Sequence, residues 1–221
     1  MEKIRVSDLL DLKHTVAAEI FDGAEYPWEI LPKLGDFIVA LGRSLPSEEY
    51  DNPAENIWVA KSATVADSAH IAPPTIICGG AEIRHCAYIR GSVIVGADAV
   101  IGNSCELKNV LIFDGAQIPH FNYVGDSIVG YKAHMGAGAI TSNVKSDKTF
   151  VTVKTADGRI ETGMKKLGAI IADYAEIGCQ CVLNPGSVVC RNSNVYPLTS
   201  VRGVIPPDSI CKGVGEIVKK V

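Results

Sequence analysis

The sequence contains no unbroken apolar run near the ~18 residues that a membrane-crossing helix needs. Its opening, Met1 to Leu10, lacks the basic head and apolar stretch of a secretion signal. A cytoplasmic protein without a membrane partner is therefore expected. Positive charge is not in surplus: 21 Lys and Arg face 25 Asp and Glu, a net charge of −4, which excludes broad electrostatic attraction to nucleic acid or anionic lipid. Cysteine occurs seven times (Cys78, Cys86, Cys105, Cys179, Cys181, Cys190 and Cys211) but never as CxxC. That pattern indicates neither a zinc site nor a disulfide framework, and reduced, packed thiols are expected. Cys179 and Cys181 are the close pair, and on a strand both would point to one face.

Residues 1–52 read as a mostly helical segment. Ser7 suits the N-cap of a helix whose Leu9, Leu12, Val16 and Ile20 keep steps of three and four, with Gly23 at its end. Pro27 and Glu29 suit the first turn of a second helix, which Pro32 interrupts. Beyond it, Leu34, Phe37, Ile38 and Leu41 define an apolar stripe that stops at Gly42. The expected role is a helical cap or an oligomer contact. The acidic, proline-bounded run from Pro46 to Pro53 reads as a linker.

From Ile57 onward an aliphatic residue recurs at every sixth position: Val59, Val65, Ile71, Ile77, Ile83, Ile89, Val95, Ile101 and Leu107. After one five-residue step the series resumes at Ile112, Ile118 and Val124, and after another at Val129 and Met135. Residues 141–166 break it and are rich in lysine, the mark of an excursion, before it returns at Ile171, Ile177, Leu183, Val189, Val195 and Val201. A helical face needs spacings of three and four, and a hairpin sheet needs two. A period of six fits short parallel strands stacked as a β-helix of hexapeptide repeats over residues 53–206, often with a small residue just after each aliphatic one. The fold class is mainly β, and a short helix is expected in the C-terminal tail, residues 207–221.

Polar chemistry concentrates in Pro119-His120-Phe121-Asn122-Tyr123-Val124-Gly125-Asp126-Ser127 and in Gly136-Ala137-Gly138-Ala139-Ile140-Thr141-Ser142-Asn143. Through these segments, and with Arg90, Lys108, His120 and Tyr123 in order without a gap, the chain resembles a known family. It is similar to the acetyltransferase domain of bifunctional enzymes that acetylate glucosamine 1-phosphate and then attach uridylate, archaeal-type sugar-1-phosphate members especially. The resemblance covers about residues 54–206 and is densest from Arg90 to Asn143. It implies a left-handed parallel β-helix, a homotrimer with its sites between subunits, acetyl-CoA as acyl donor, and an amino sugar phosphate as acceptor. Glucosamine 1-phosphate leads among acceptors and galactosamine 1-phosphate follows. No Gly-rich nucleotidyltransferase motif precedes the repeats, and 52 mostly helical residues could not hold that domain, so uridylyl transfer is not expected.

The resemblance assigns His120 to proton abstraction, Arg90 and Lys108 to the sugar phosphate, Tyr123 and Asn143 to the sugar, and Ala137 to the backbone N–H that receives the oxyanion. Each role is chemically apt. An imidazole with an ordinary pKa of ~6.5 can accept the proton an attacking amine must lose. An arginine fork with a lysine point charge suits a phosphate dianion. Small side chains in Gly136-Ala137-Gly138 let an N–H approach the reacting carbonyl, a donor usually worth ~3 kcal/mol of barrier. Three positions depart from the family pattern: His134 stands where many relatives carry Asn, Cys179 where they often carry Ser near the thioester, and Pro197 where they often carry Ala. Lys165 and Lys166 are candidates for the phosphates of coenzyme A.

Other readings of the same fold remain open at this point. No metal is expected: a γ-type carbonic anhydrase needs three histidines meeting between subunits, and beside His85 and His120 the third position holds Gly125. A non-catalytic β-helix that binds a sugar phosphate or nucleotide sugar would keep the hexads and the basic residues without needing His120.

Overall fold

The computed structural model describes residues 4–220. Its body is a parallel β-helix. Ile57 pairs with Thr75, Thr75 with Val93, Val93 with Val110, and Val110 with Ser127, so each coil takes 17 or 18 residues. A coil gives one short strand to each of three faces, and the hexad residue of each strand points inward. Val59, Ile77, Val95, Ile112, Val129, Ile171, Val189 and Ile205 stack on the first face. Val65, Ile83, Ile101, Ile118, Met135, Ile177, Val195 and Cys211 stack on the second. Ile71, Ile89, Leu107, Val124, Thr141, Leu183 and Val201 stack on the third.

The apolar members form one continuous core, each buried side chain contributing about 1.5–3 kcal/mol. Small residues complete it, but two positions before the aliphatic one rather than just after, because residues i−2 and i share a face of a strand. Ala81, Ala99, Cys105, Ala116, Ala133 and Cys181 are buried in this way. Thr141 explains why the series breaks in sequence while the ladder does not. It is fully buried in register with Leu183, and its hydroxyl accepts the Gly125 N–H at 2.9 Å. The chain then leaves the stack, folds back as a hairpin of Thr152–Thr155 and Gly158–Glu161, and returns at Ala169–Ile171.

The N-terminal segment is less regular than expected. Its first helix is a single turn, Val6–Leu9, with Arg5 rather than Ser7 at the cap, followed by 3-10 turns at Leu12–His14 and Ala18–Phe21. Val16 is exposed. Pro27–Lys33 is a 3-10 helix, and a longer α-helix, Leu34–Ser44, forms only beyond Pro32, whose ring removes a backbone donor. That helix runs past Gly42, which is needed for packing: a Cβ there would lie 2.3 Å from the Trp58 ring. The segment crosses the outside of the first face and covers its outward residues Trp58, Ile76, Ile94, Leu111, Ile128 and Ile170, with Val151 and Val153 of the excursion hairpin in the same cluster.

Both ends of the stack are closed by antiparallel strands. The run read as a linker holds one of them, Tyr50–Ala54, paired with Ile57–Ala60, and Pro53 is tolerated because the strand lies at a sheet edge. The expected tail helix is also a strand pair. Ser209–Gly213 continues the second face beyond residue 206 with Cys211 in the ladder, and Glu216–Lys219 folds back on it through Gly215 at φ 78. Five of the cysteines are buried, but Cys86 and Cys179 are exposed. Cys179 and Cys181 do not point the same way, because they flank Gln180 at φ 58 in a corner rather than lying on a strand.

Candidate active site

Two edges of the prism, on either side of the third face, carry the polar residues singled out above. The histidine edge joins the second face to the third. Along it backbone N–H groups donate from Ser104 to His85, Phe121 to Asn103, Gly138 to His120, Gln180 to Ala137 and Leu198 to Cys179, at 2.9 to 3.2 Å. His120, Ala137, Cys179 and Pro197 therefore stack one per coil, at a strand spacing of ~4.8 Å.

His120 is exposed, and its ring has no hydrogen-bond partner among the described residues. The Ala137 N–H likewise donates to nothing among them. Asn122, 2% exposed, ties the two corners together. Its Oδ1 accepts the His120 N–H at 3.0 Å, and its Nδ2 donates to the carbonyls of Gly136 and Ala139, both at 2.9 Å. Gly136 is small because of the next coil, since a Cβ there would sit 2.6 Å from Cys179 N.

The lysine edge joins the third face to the first. Lys108 lies in register with Gly125, and the Arg90 N–H donates to Leu107 O at 2.8 Å. The Arg90 guanidinium pairs with Glu106 at 2.7 Å, and that hydrogen bond raises its pKa further above the ordinary value. Asp126, 4% exposed, gathers Lys108 Nζ at 3.4 Å, Asn109 Nδ2 at 3.0 Å and Asn143 Nδ2 at 2.5 Å. Asn143 Nδ2 is also 3.3 Å from Tyr123 Oη. Burial, then the charge of Asp126, raises the Tyr123 phenol above its usual range, so it remains a neutral hydroxyl.

Arg90, Lys108, Tyr123 and Asn143 thus form one polar group at one border of the third face, with His120 and Ala137 at the other. Four residues lie between His120 and Gly125, which places their α-carbons at most ~17 Å apart. Other sequence-predicted residues do not join them in one chain. His134 lies around the corner on the outside of the second face, with Nδ1 2.9 Å from Glu176 Oε2. Lys165 and Lys166 are exposed on the returning arm of the excursion, which rejoins the stack at the lysine edge, where the Gly168 N–H donates to Asp126 O at 2.8 Å. Cys179 and Pro197 are on the opposite edge, so a single chain does not gather these four residues. Among the described residues no three His, Cys, Asp or Glu side chains cluster to hold a metal, and His85 Nδ1 meets Ser68 Oγ at 2.6 Å.

Residues 71–165 match the sequence family described as the GMPPB C-terminal domain. The chain is 31% identical over 164 residues to a bifunctional sugar-1-phosphate nucleotidylyltransferase/acetyltransferase of Sulfurisphaera tokodaii, an alignment covering 72% of this chain and 41% of that protein. It is 32% identical over 170 residues to a bifunctional protein GlmU of Methanococcus maripaludis, covering 76% and 41% respectively. It spans about two-fifths of the length of these curated relatives. To the uncharacterized acetyltransferase YaiX of Escherichia coli it is 31% identical over 167 residues, covering 69% of this chain and 73% of that one.

Proposed function

The chain belongs to the β-helix acetyltransferases of the hexapeptide-repeat family, and on that premise we propose that it is an acetyl-CoA-dependent N-acetyltransferase acting on an amino sugar phosphate, glucosamine 1-phosphate first. The observation that carries this reading is a His120 ring and an Ala137 N–H, neither with a partner among the described residues, on adjacent coils clamped together by Asn122.

Acetyl-CoA supplies the acetyl group as a thioester. The acceptor amine attacks only when neutral, and His120, whose ring has no partner among the described residues, takes the proton released as the new carbon–nitrogen bond forms. The Ala137 N–H receives the negative charge that develops on the carbonyl oxygen, a donor fixed before the reaction starts. Across the third face, Arg90 and Lys108 hold the sugar phosphate through charge-assisted bonds, and Tyr123 and Asn143 contact the sugar. The coenzyme lies along the histidine edge past Cys179 and Pro197. Lys165 and Lys166, remote from that edge in one chain, reach the coenzyme phosphates from a neighbouring copy of a homotrimer, and His134 lines the acceptor pocket from the second face.

The test is release of free coenzyme A from acetyl-CoA with glucosamine 1-phosphate, and in parallel with galactosamine 1-phosphate, by the wild type and His120→Ala. Phosphate-dependent turnover that falls on the order of 10²–10⁴-fold in His120→Ala is expected. Turnover that survives the substitution removes His120 as the base. No turnover with either sugar points to a different acceptor or to a β-helix that binds without acetylating.

A further inference from the structure

The roles assigned at the lysine edge leave out Asp126, the buried carboxylate that Lys108 and Asn143 share. An ionised carboxylate only accepts hydrogen bonds, so the Asn143 amide, 2.5 Å from Asp126 Oδ2, must turn its NH2 group inward. The same nitrogen lies 3.3 Å from Tyr123 Oη, which takes the second N–H. With both donors used, Asn143 offers the outside only Oδ1, an acceptor. Tyr123, already accepting, keeps its own O–H to donate.

We infer that Asp126 is a positioning residue that sets the hydrogen-bond polarity of the acceptor site, fixing Asn143 as an acceptor and Tyr123 as a donor while it restrains the Lys108 ammonium. The inference rests on the reading of this edge as the sugar phosphate site. It specifies the ligand further: the acceptor presents an O–H or N–H to Asn143 and a lone pair to Tyr123, and a sugar methylated on the oxygen facing Asn143 is refused.

Asp126 also has a structural part that the test must separate. It stands at φ 48. Its carbonyl accepts the Gly168 N–H at 2.8 Å, and the Leu167 N–H donates to Asn143 O at 3.0 Å, so both ends of the excursion are anchored beside it. Asp126→Asn keeps the shape and removes the obligatory acceptor. Asp126→Asn/Asn143→Asp restores a hydrogen bond between the two positions but reverses it, and turns Tyr123 from acceptor to donor toward residue 143.

The acceptor KM of Asp126→Asn should rise about tenfold, the loss of one charge-assisted hydrogen bond, with the acetyl-CoA KM unchanged. The double variant should regain thermal stability without regaining the acceptor KM. An unchanged acceptor KM in Asp126→Asn, or its full recovery in the double variant, overturns the inference while leaving acetyl transfer intact. If the wild type turns over neither sugar, the functional reading fails, and nitrogen-15 NMR of the Asn143 side-chain amide still decides the polarity without substrate. Both protons should be protected in the wild type and exchange at least about tenfold faster in Asp126→Asn, and equal rates would dismiss the role of Asp126.

Discussion

Asn122 makes four side-chain hydrogen bonds from inside a corner: three join the loop bearing His120 to itself or to the coil bearing Ala137, and its Oδ1 also accepts the Cys105 thiol at 3.5 Å. Asn122→Ala would leave the Ala139 carbonyl and the His120 N–H without partners and the Gly136 carbonyl with only the Ala139 N–H at 3.1 Å, a loss of roughly 2–5 kcal/mol that a thermal melt would read as a lower Tm. Turnover should fall at temperatures where the variant is still folded, because the proposed base and the proposed oxyanion donor are no longer held together. The cysteines give a second expectation. Burial pushes the Cys78 thiol up to about 12, so it stays a neutral, shielded thiol at ordinary pH. A thiol reagent at pH 8 should label two sites quickly in the native protein, Cys86 and Cys179, and all seven only after denaturation. His120, Tyr123, Lys108 and Arg90 were legible in the sequence as residue types in a fixed order. Asn122 and Asp126 were not, because their bonds reach residues 14 to 18 positions away in the next coil and no local pattern marks them.

The hexad was legible because one inward residue per strand repeats with the geometry of the coil. It disappeared where that inward residue was Thr141, whose hydroxyl serves a neighbouring N–H instead of the core. The helices were harder to read. The stripe of Leu34, Phe37, Ile38 and Leu41 matched a real helix, whereas the spacing from Leu9 to Ile20 matched short turns bent around the first face. Gly42 looked like a stop signal and proves to be a contact: Gly42→Ala drives a Cβ into the Trp58 ring and should cost about 1–3 kcal/mol, visible as a shift of the denaturation midpoint without a change in slope. The antiparallel end strands escaped the sequence because Pro53 and the polar tail resemble loop, and only the unpaired edges of the stack give them a partner.

At the scale of the molecule, the first face is covered by the chain's own N-terminal segment, so the homotrimer proposed above has to be built from the other two faces and their edges. The covering runs the length of the stack. Helix Leu34–Ser44 lies against the early strands Thr75–Ile77 and Val93–Val95, and the Asp114 N–H meets His14 O at 3.1 Å. Farther along, the Asp11 N–H meets Asp173 Oδ2 at 2.7 Å, and hairpin strand Thr152–Thr155 lies against Ser187–Val189 and Val204–Ile205. A bare solenoid is close to a one-dimensional array in which each coil feels only its neighbours and the ends fray independently. Here the segment and the excursion hairpin, packed in one apolar cluster, act together as a splint that grips early and late coils alike. Native-state hydrogen exchange should therefore report one shared opening free energy for amides near Ile77 and near Val189, where an unsplinted stack would show protection falling away from its middle.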